Sequence, residues 1–377
     1  MKSMTHRERV LAALNHQVSD RVPIDFGGYP AATSINVAAY QQFKQYLKMA
    51  IDKEIRVANT LMFTAEVDEE ILQRFEIDTF SATPSIPLAQ FNSPTNFFDP
   101  NWQITWLKSD VSTYAPVKGP FQGKNGTLQA LKDFNWPKPT ALENITLWKQ
   151  KTEDLRKRTD RAIIARLPLG IVTQTQCMRG FEEWFTDFLL NRDFLETLLD
   201  RCTESWIETA QTVLDAIGDN IDVVVWGDDY GTQSGPMISP KMFREAVTPR
   251  NKRMVDAIRA KTNAKVLLHT CGSVYQYLDD FLEMGIDALN PIQTSAKDMD
   301  PIKIKSRVGD RICLWGAIGI DELRNGTPET VKELVRTRVA QLSKGGGYVL
   351  AATHNFLNDI PPQNIVAMLE AAREATD

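Results

Sequence analysis

The chain is poor in cysteine. Four thiols, Cys177, Cys202, Cys271 and Cys313, are scattered through 377 residues, too few and too far apart for a disulfide framework. Reduced thiols in a cytoplasmic setting are therefore expected. Basic runs are missing as well: the net charge is −5 and the pI about 5.6, which argues against a nucleic-acid partner. No stretch approaches the roughly 20 apolar residues of a membrane span. The N-terminal MKSMTHRERVLAALNHQ lacks the apolar core and small-residue cleavage site of a signal peptide, so no membrane association is expected. Absent too are G-x-G-x-x-G and G-x-x-x-x-G-K-[ST], the glycine-rich loops that announce an open nucleotide-binding sheet.

What is present is 43% hydrophobic residues against 24% charged, the balance of a globular protein with a large core. Thr5 and Glu8 match a helix capping box, with Val10, Leu11 and Leu14 forming an apolar face behind it. RVPIDF (21–26) reads as a strand, and a helix leads into a second strand near Ile77–Phe80. Residues 85–122 differ in kind, being rich in proline, asparagine and aromatics. Trp102, Ile104 and Trp106 alternate with polar residues there, the period of a β-hairpin excursion. Beyond residue 140 short apolar runs alternate with helical sequence: 161–167, 221–227, 264–269, 285–291, 311–316 and 347–352. One intervening helix opens with Thr327 at its N-cap and Pro328 at the first helical position.

Strands apolar on both faces and joined by helices imply a parallel sheet. The count reaches about eight, so the expected fold is α/β, a (β/α)8 TIM barrel in a single domain over 1–377 with an excursion near 85–122.

Barrel chemistry sits at the carboxyl ends of the strands. Reading just past each run finds Asp228, Asp229 and Tyr230, then His269 and Cys271, Asn290, and His354. Two of only four histidines fall there. His269 and Cys271 are two apart, so from one strand end they face the same point. Thiolate and imidazole are preferred zinc ligands, and three protein ligands with an open position make a catalytic site. A strand-end histidine that only bonds its neighbours, a buried cysteine acting as a small hydrophobe and an ordinary Asx turn at DDYG are the competing readings. Cys177 is a competing thiol; Cys313 and Cys202 read as core.

Taken together, several stretches resemble the uroporphyrinogen decarboxylase superfamily. They are MTHRERVLAALNHQVSDRVPIDF, GDDYGTQSGPMISPKMFREAVTPRNKRMVDAIR, LLHTCGSVYQYLDDFLEMGIDALNPIQTSAKDMDP, LWGAIG and GGGYVLAATHNFLNDIPPQNIVAM. The family fold is a (β/α)8 barrel. Its decarboxylases carry an Arg-Gln-Ala-Gly-Arg motif after the first strand, whereas DFGGYPAATS (25–34) here contains no arginine or lysine. The resemblance thus points to the cobalamin-dependent methyltransferase branch, and within it to O-demethylases of methoxylated, often aromatic, compounds. It implies zinc on His269, Cys271 and His354, the last standing where the branch has a cysteine. Asp228 would be acid or orienting residue and Asp229 a second carboxylate. Arg179, Tyr230, Asn290 and Trp315 are expected to bind substrate, with Phe97, Phe98, Trp102 and Trp106 as an aromatic wall. No Asp-x-His-x-x-Gly corrinoid motif occurs, so the corrinoid (cobalamin) is expected on a partner protein. The methyl donor would be a small molecule, and a homodimer is one candidate assembly. The alternatives are a decarboxylase of a smaller acid and a catalytically idle metabolite-binding barrel.

Overall fold

The computed structural model describes residues 3–49, 54–92, 94–109, 113–139, 145–168 and 170–375. Seven parallel strands form one sheet: β1 (Thr79–Ser81), β2 (Ala162–Arg166), β3 (Val223–Gly227), β4 (Lys265–His269), β5 (Ala288–Asn290), β6 (Cys313–Ile318) and β7 (Tyr348–Ala352). Their spatial order follows the sequence, from β7 at one edge to β1 at the other. Each strand pairs with the next in parallel, the arrangement that helical crossovers produce.

The expected first strand shrinks to a single bridge, Ile24 to Leu350 of β7. It still joins the two edges. Asp25 N–H donates to the Leu350 carbonyl, and Asp78 N–H donates to the Ile24 carbonyl, both at 2.9 Å. The curled sheet is therefore TIM-barrel-like, with residues 23–25 standing where the eighth strand belongs. Pro23 cannot donate to a ladder, which shortens that strand.

Alternation divides the strands as expected for a barrel. Ala162, Ile164, Val223, Val225, Leu267, Ala288, Cys313, Trp315, Val349 and Ala351 fill the interior. Their sequence neighbours, such as Ile163, Val224, Leu268 and Leu314, pack outward against the helices. Helix α1 (His6–Leu14) carries the Thr5–Glu8 capping box and lies under the barrel. Two helices follow β2 directly: α2 (Ile171–Arg179) and α3 (Phe181–Leu190). The expected Thr327 cap and Pro328 start are found on the helix Pro328–Leu342, with Val331, Val335 and Leu342 buried.

The excursion is a three-stranded antiparallel sheet, Asn96–Asp99, Ile104–Lys108 and Tyr114–Lys118; positions 93 and 110–112 lie outside the described residues. A small antiparallel sheet built on Arg56–Asn59 was not anticipated. Among the described residues, no helix is long and apolar enough to cross a membrane.

Candidate metal centre and cavity

His269 is the last residue of β4. Burial lowers its pKa, against the opposing pull of Asp229 and Asn290, so the imidazole is neutral at pH 7. Its Nδ1 lies 2.6 Å from Asn290 Oδ1 on β5. The amide oxygen can only accept, so Nδ1 carries the proton and Nε2 keeps its lone pair. That lone pair faces Cys271 Sγ at 3.5 Å.

The turn that brings the thiol back depends on glycine. Gly272 has φ +84°, and a Cβ there would meet the backbone of Gly231 at 2.4 Å, so the loops after β3 and β4 cross backbone to backbone. Asp229, from the β3 loop, accepts the Cys271 N–H at 3.0 Å. Carboxylate, imidazole and thiol therefore converge: Asp229, His269 and Cys271 each offer a ligand atom within 4.8 Å of the others. Burial, with the Asp229 charge, pushes the Cys271 thiol well above its usual pKa. A cation that binds there must displace that proton. One sulfur, one imidazole nitrogen and one carboxylate oxygen are a donor set that suits zinc, with the tautomer of His269 already set by its outer partner.

His354 is not part of that cluster. Its ring lies 6.4 Å from that of His269, and it lines the same cavity as His269 and Asp229. Burial, reinforced by His269, lowers its pKa to about 4. The third donor atom of this cluster comes from Asp229, whereas the resemblance assigned the third ligand to His354.

Asp228 lines the cavity, but its carboxylate is already surrounded by donors. Oδ2 accepts from Val172 N–H and the Tyr230 hydroxyl, both at 3.0 Å. Oδ1 accepts from Thr173 N–H at 2.6 Å and its hydroxyl at 2.8 Å. Asp228 therefore caps the first turn of α2. Burial raises its pKa to about 6, the four hydrogen bonds opposing it.

Each of the expected substrate-binding residues is engaged by another group of the protein. Arg179, at the end of α2, makes a two-pronged pair with Asp187 at 2.6 and 3.1 Å and also donates to the carbonyls of Phe121 and Gly123. Its guanidinium is thus engaged within the protein, while its neighbours Gln176, Cys177 and Gly180 line the wider outer space. Tyr230 is buried, its hydroxyl held between Asp228 and the Asn251 amide. Trp315 is a barrel-interior residue whose indole N–H donates to Asp25 at 2.9 Å. Asn290 orients His269.

The inner cavity of about 140 Å³ is lined by Tyr29, Asn59, Arg166, Thr173, Asp228, Asp229, His269 and His354, with Ala31, Leu61, Met62, Leu167 and Pro168 as its apolar walls. A wider space of about 440 Å³ adjoins it through Leu61, Met62, Thr173 and Asp229. Of the four aromatics expected as a wall, only Trp106 lines that outer space. Phe97 stacks on Trp106, Trp102 packs against Trp136, and Phe98 faces solvent. Cys177 lines the outer space from a buried helical position, and burial pushes its thiol up to about 12, so it is a poor ligand.

Several lining residues escaped the sequence reading, Tyr29, Asn59, Arg166 and Thr173 among them. Arg166 had a signal: it follows Ala162 and Ile164 at two-residue spacing and ends a strand.

A parallel barrel with a polar cavity at the carboxyl ends of its strands is an enzyme architecture. The chain belongs to the uroporphyrinogen decarboxylase (URO-D) family, whose family model matches residues 124–375. It is 27% identical to the uroporphyrinogen decarboxylase of Psychromonas ingrahamii over 184 residues, 48% of each chain. With that of Hydrogenovibrio crunogenus it shares 25% over 177 residues, 44% of this chain and 48% of the relative. Each match thus spans about half the length of the curated relative. A methyltransferase from Methanosarcina mazei has the same fold over 99% of both chains, with a TM-score of 0.65 and 19% identity.

Proposed function

We propose that this protein is a zinc-dependent methyltransferase that moves a methyl group from a methoxylated compound, aromatic in the first instance, to the Co(I) corrinoid of a partner protein. The observation that carries the reading is the convergence of Asp229, His269 and Cys271, the first two of which line the inner cavity. These three residues would hold the zinc ion. Bound there, zinc supplies a Lewis acid to the ether oxygen, whose developing charge as alkoxide or phenolate is the difficult part of demethylation.

The chain's own residues divide the remaining work. Asn290 holds His269 in one tautomer. Asp228 fixes the start of α2, and Thr173, from that turn, accepts the Asp229 N–H at 3.3 Å. His354 meets the substrate as a neutral imidazole. Leu61, Met62 and Trp106 offer an apolar surface to the body of the donor. The segment 25–34 itself offers no arginine or lysine to the polycarboxylate of a tetrapyrrole.

The test is zinc content by elemental analysis, followed by methyl transfer from methoxybenzenes to free Co(I) cobalamin. About one zinc per chain, lost in Cys271→Ser together with methyl transfer, is the expected result. A zinc-free wild type that takes up none on incubation would overturn the reading.

A further inference from the structure

The cavity has a cationic side that the donor cluster does not use. Arg166 ends β2, and its partner in the ladder is Val225, a residue of the barrel interior. Ala162 and Ile164 precede it on the same face, so alternation turns Arg166 inward as well. It is half-buried and lines the cavity. Among the described residues, its one hydrogen bond runs from Nε to the adjacent Leu167 carbonyl at 3.4 Å. Other partly buried arginines are held differently: Arg156 pairs with Asp222 and Arg179 with Asp187. Asp228 and Asp229 line the same cavity, but neither forms a salt bridge with Arg166; a guanidinium turned into a partly apolar space without an ion-pair partner loses hydration that only water or a bound anion restores.

The neighbouring strand keeps this cation apart from the metal ligands. Gly227 ends β3, between Arg166 and His269, and the Tyr29 hydroxyl takes the room its missing side chain leaves. A Cβ at 227 would lie 2.7 Å from that oxygen. The Tyr29 ring meets the His269 ring edge-on at 5.5 Å. Cation, phenol and donor cluster thus follow one another across β2, β3 and β4.

We propose that Arg166 binds an oxyanion, a carboxylate, carried by the methyl donor, while the methoxy group faces Asp229, His269 and Cys271. This rests on the methyltransferase reading and narrows it to acidic donors. The planar guanidinium can take both carboxylate oxygens, which a lysine cannot. Tyr29 offers a neutral donor beside it.

The test is calorimetric binding of 2-, 3- and 4-methoxybenzoate and methoxyacetate to the full chain, beside the matching neutral amides and inorganic phosphate. The expected result is that at least one acid binds on the order of tenfold more tightly than its amide. Arg166→Gln should erase that preference while leaving amide binding and the urea midpoint unchanged, and Arg166→Lys should restore only part of it. Failure of every acid to bind, equal binding of acid and amide, or a preference that survives Arg166→Gln would each overturn the proposal. So would phosphate binding as tightly as the acids, which would mark a site for free anions. Methyl transfer to Co(I) cobalamin is scored separately. Transfer from amides and acids alike would sink the anchor and leave the methyltransferase standing. An Arg166-dependent acid preference without transfer would keep the anchor and remove the methyltransferase.

Discussion

His269 Nδ1 and Asn290 Oδ1 lie 2.6 Å apart on paired strands, His269 being the register partner of Asn290 itself. The pairing makes the contact a property of the sheet, independent of loop geometry. If it sets which nitrogen faces the donor cluster, Asn290→Leu should weaken zinc binding about ten- to a hundredfold, as loss of such outer partners generally does. Asn290→Asp keeps the acceptor and should retain binding. Competition against a chelator measures this. Equal affinity in wild type and Asn290→Leu would show that the amide is incidental.

Asp228 makes a different prediction from that of a proton donor. Its two oxygens receive four hydrogen bonds from Val172, Thr173 and Tyr230. An asparagine supplies one acceptor atom and leaves at least one buried donor facing an NH2 group. Asp228→Asn should therefore cost about 1–3 kcal/mol in urea unfolding, with zinc retained. An unchanged midpoint with abolished turnover would return Asp228 to a chemical role.

The pattern of legible and hidden features follows from distance along the chain. The inner strands were readable because burial on both faces leaves uninterrupted apolar runs such as VVVW and VLLH. His269 and Cys271 were readable because two-residue spacing at a strand end is a local signal. The partnership of Cys271 with Asp229 was hidden, because it depends on the crossing of two loops at Gly231 and Gly272, about 40 residues apart in sequence. The partners of Arg179 were hidden for a related reason: the sequence shows it shortly after a strand, but α2 carries it more than two helical turns on, to Asp187 and the Phe121 and Gly123 carbonyls. The first strand was overestimated because RVPIDF has strand composition, while only Ile24 forms a bridge.

Acid should loosen the base of the barrel. Arg9 of α1 bonds both Asp20 oxygens, at 2.6 and 2.9 Å, and reaches Asp78 at 2.6 Å. Burial opposes ionisation of Asp20, but Arg9 and the Met4 and Arg21 N–H groups lower its pKa from 3.8 to about 2. Asp78 is likewise held below its usual value, against burial, by His6, Arg21 and Arg9. For both, the folded-state pKa lies below the unfolded one. Their stabilisation is thus present above pH 3.8 and is lost as pH falls, for Asp20 toward about pH 2. Urea midpoints taken from pH 5 to 2 should drop steeply in wild type and less steeply in Asp20→Asn. At pH 7, Asp78→Ala should cost about 3–5 kcal/mol, because Arg9 and Arg21 lose their shared buried anion. A parallel pH profile in Asp20→Asn would remove this account.

The last prediction separates Asp229 from His354. By geometry, Asp229 shares the donor cluster with His269 and Cys271, and His354 stands outside it. By resemblance, His354 occupies the place of the methyltransferases' later cysteine. The two assignments part on substitution. If Asp229 is the ligand, Asp229→Ala should lower zinc affinity by at least tenfold, while His354→Ala keeps its zinc and loses donor binding or turnover. Asp229→Asn should fall between, since an amide oxygen is a weaker ligand than a carboxylate. Elemental analysis after dialysis against a chelator, with cobalt substitution to report the ligand field by visible absorption, reads both variants without any assay of turnover. Zinc lost in His354→Ala and kept in Asp229→Ala would mean that the loop after β7 closes onto the metal, and that the Asp229–Cys271 hydrogen bond serves only to shape the turn.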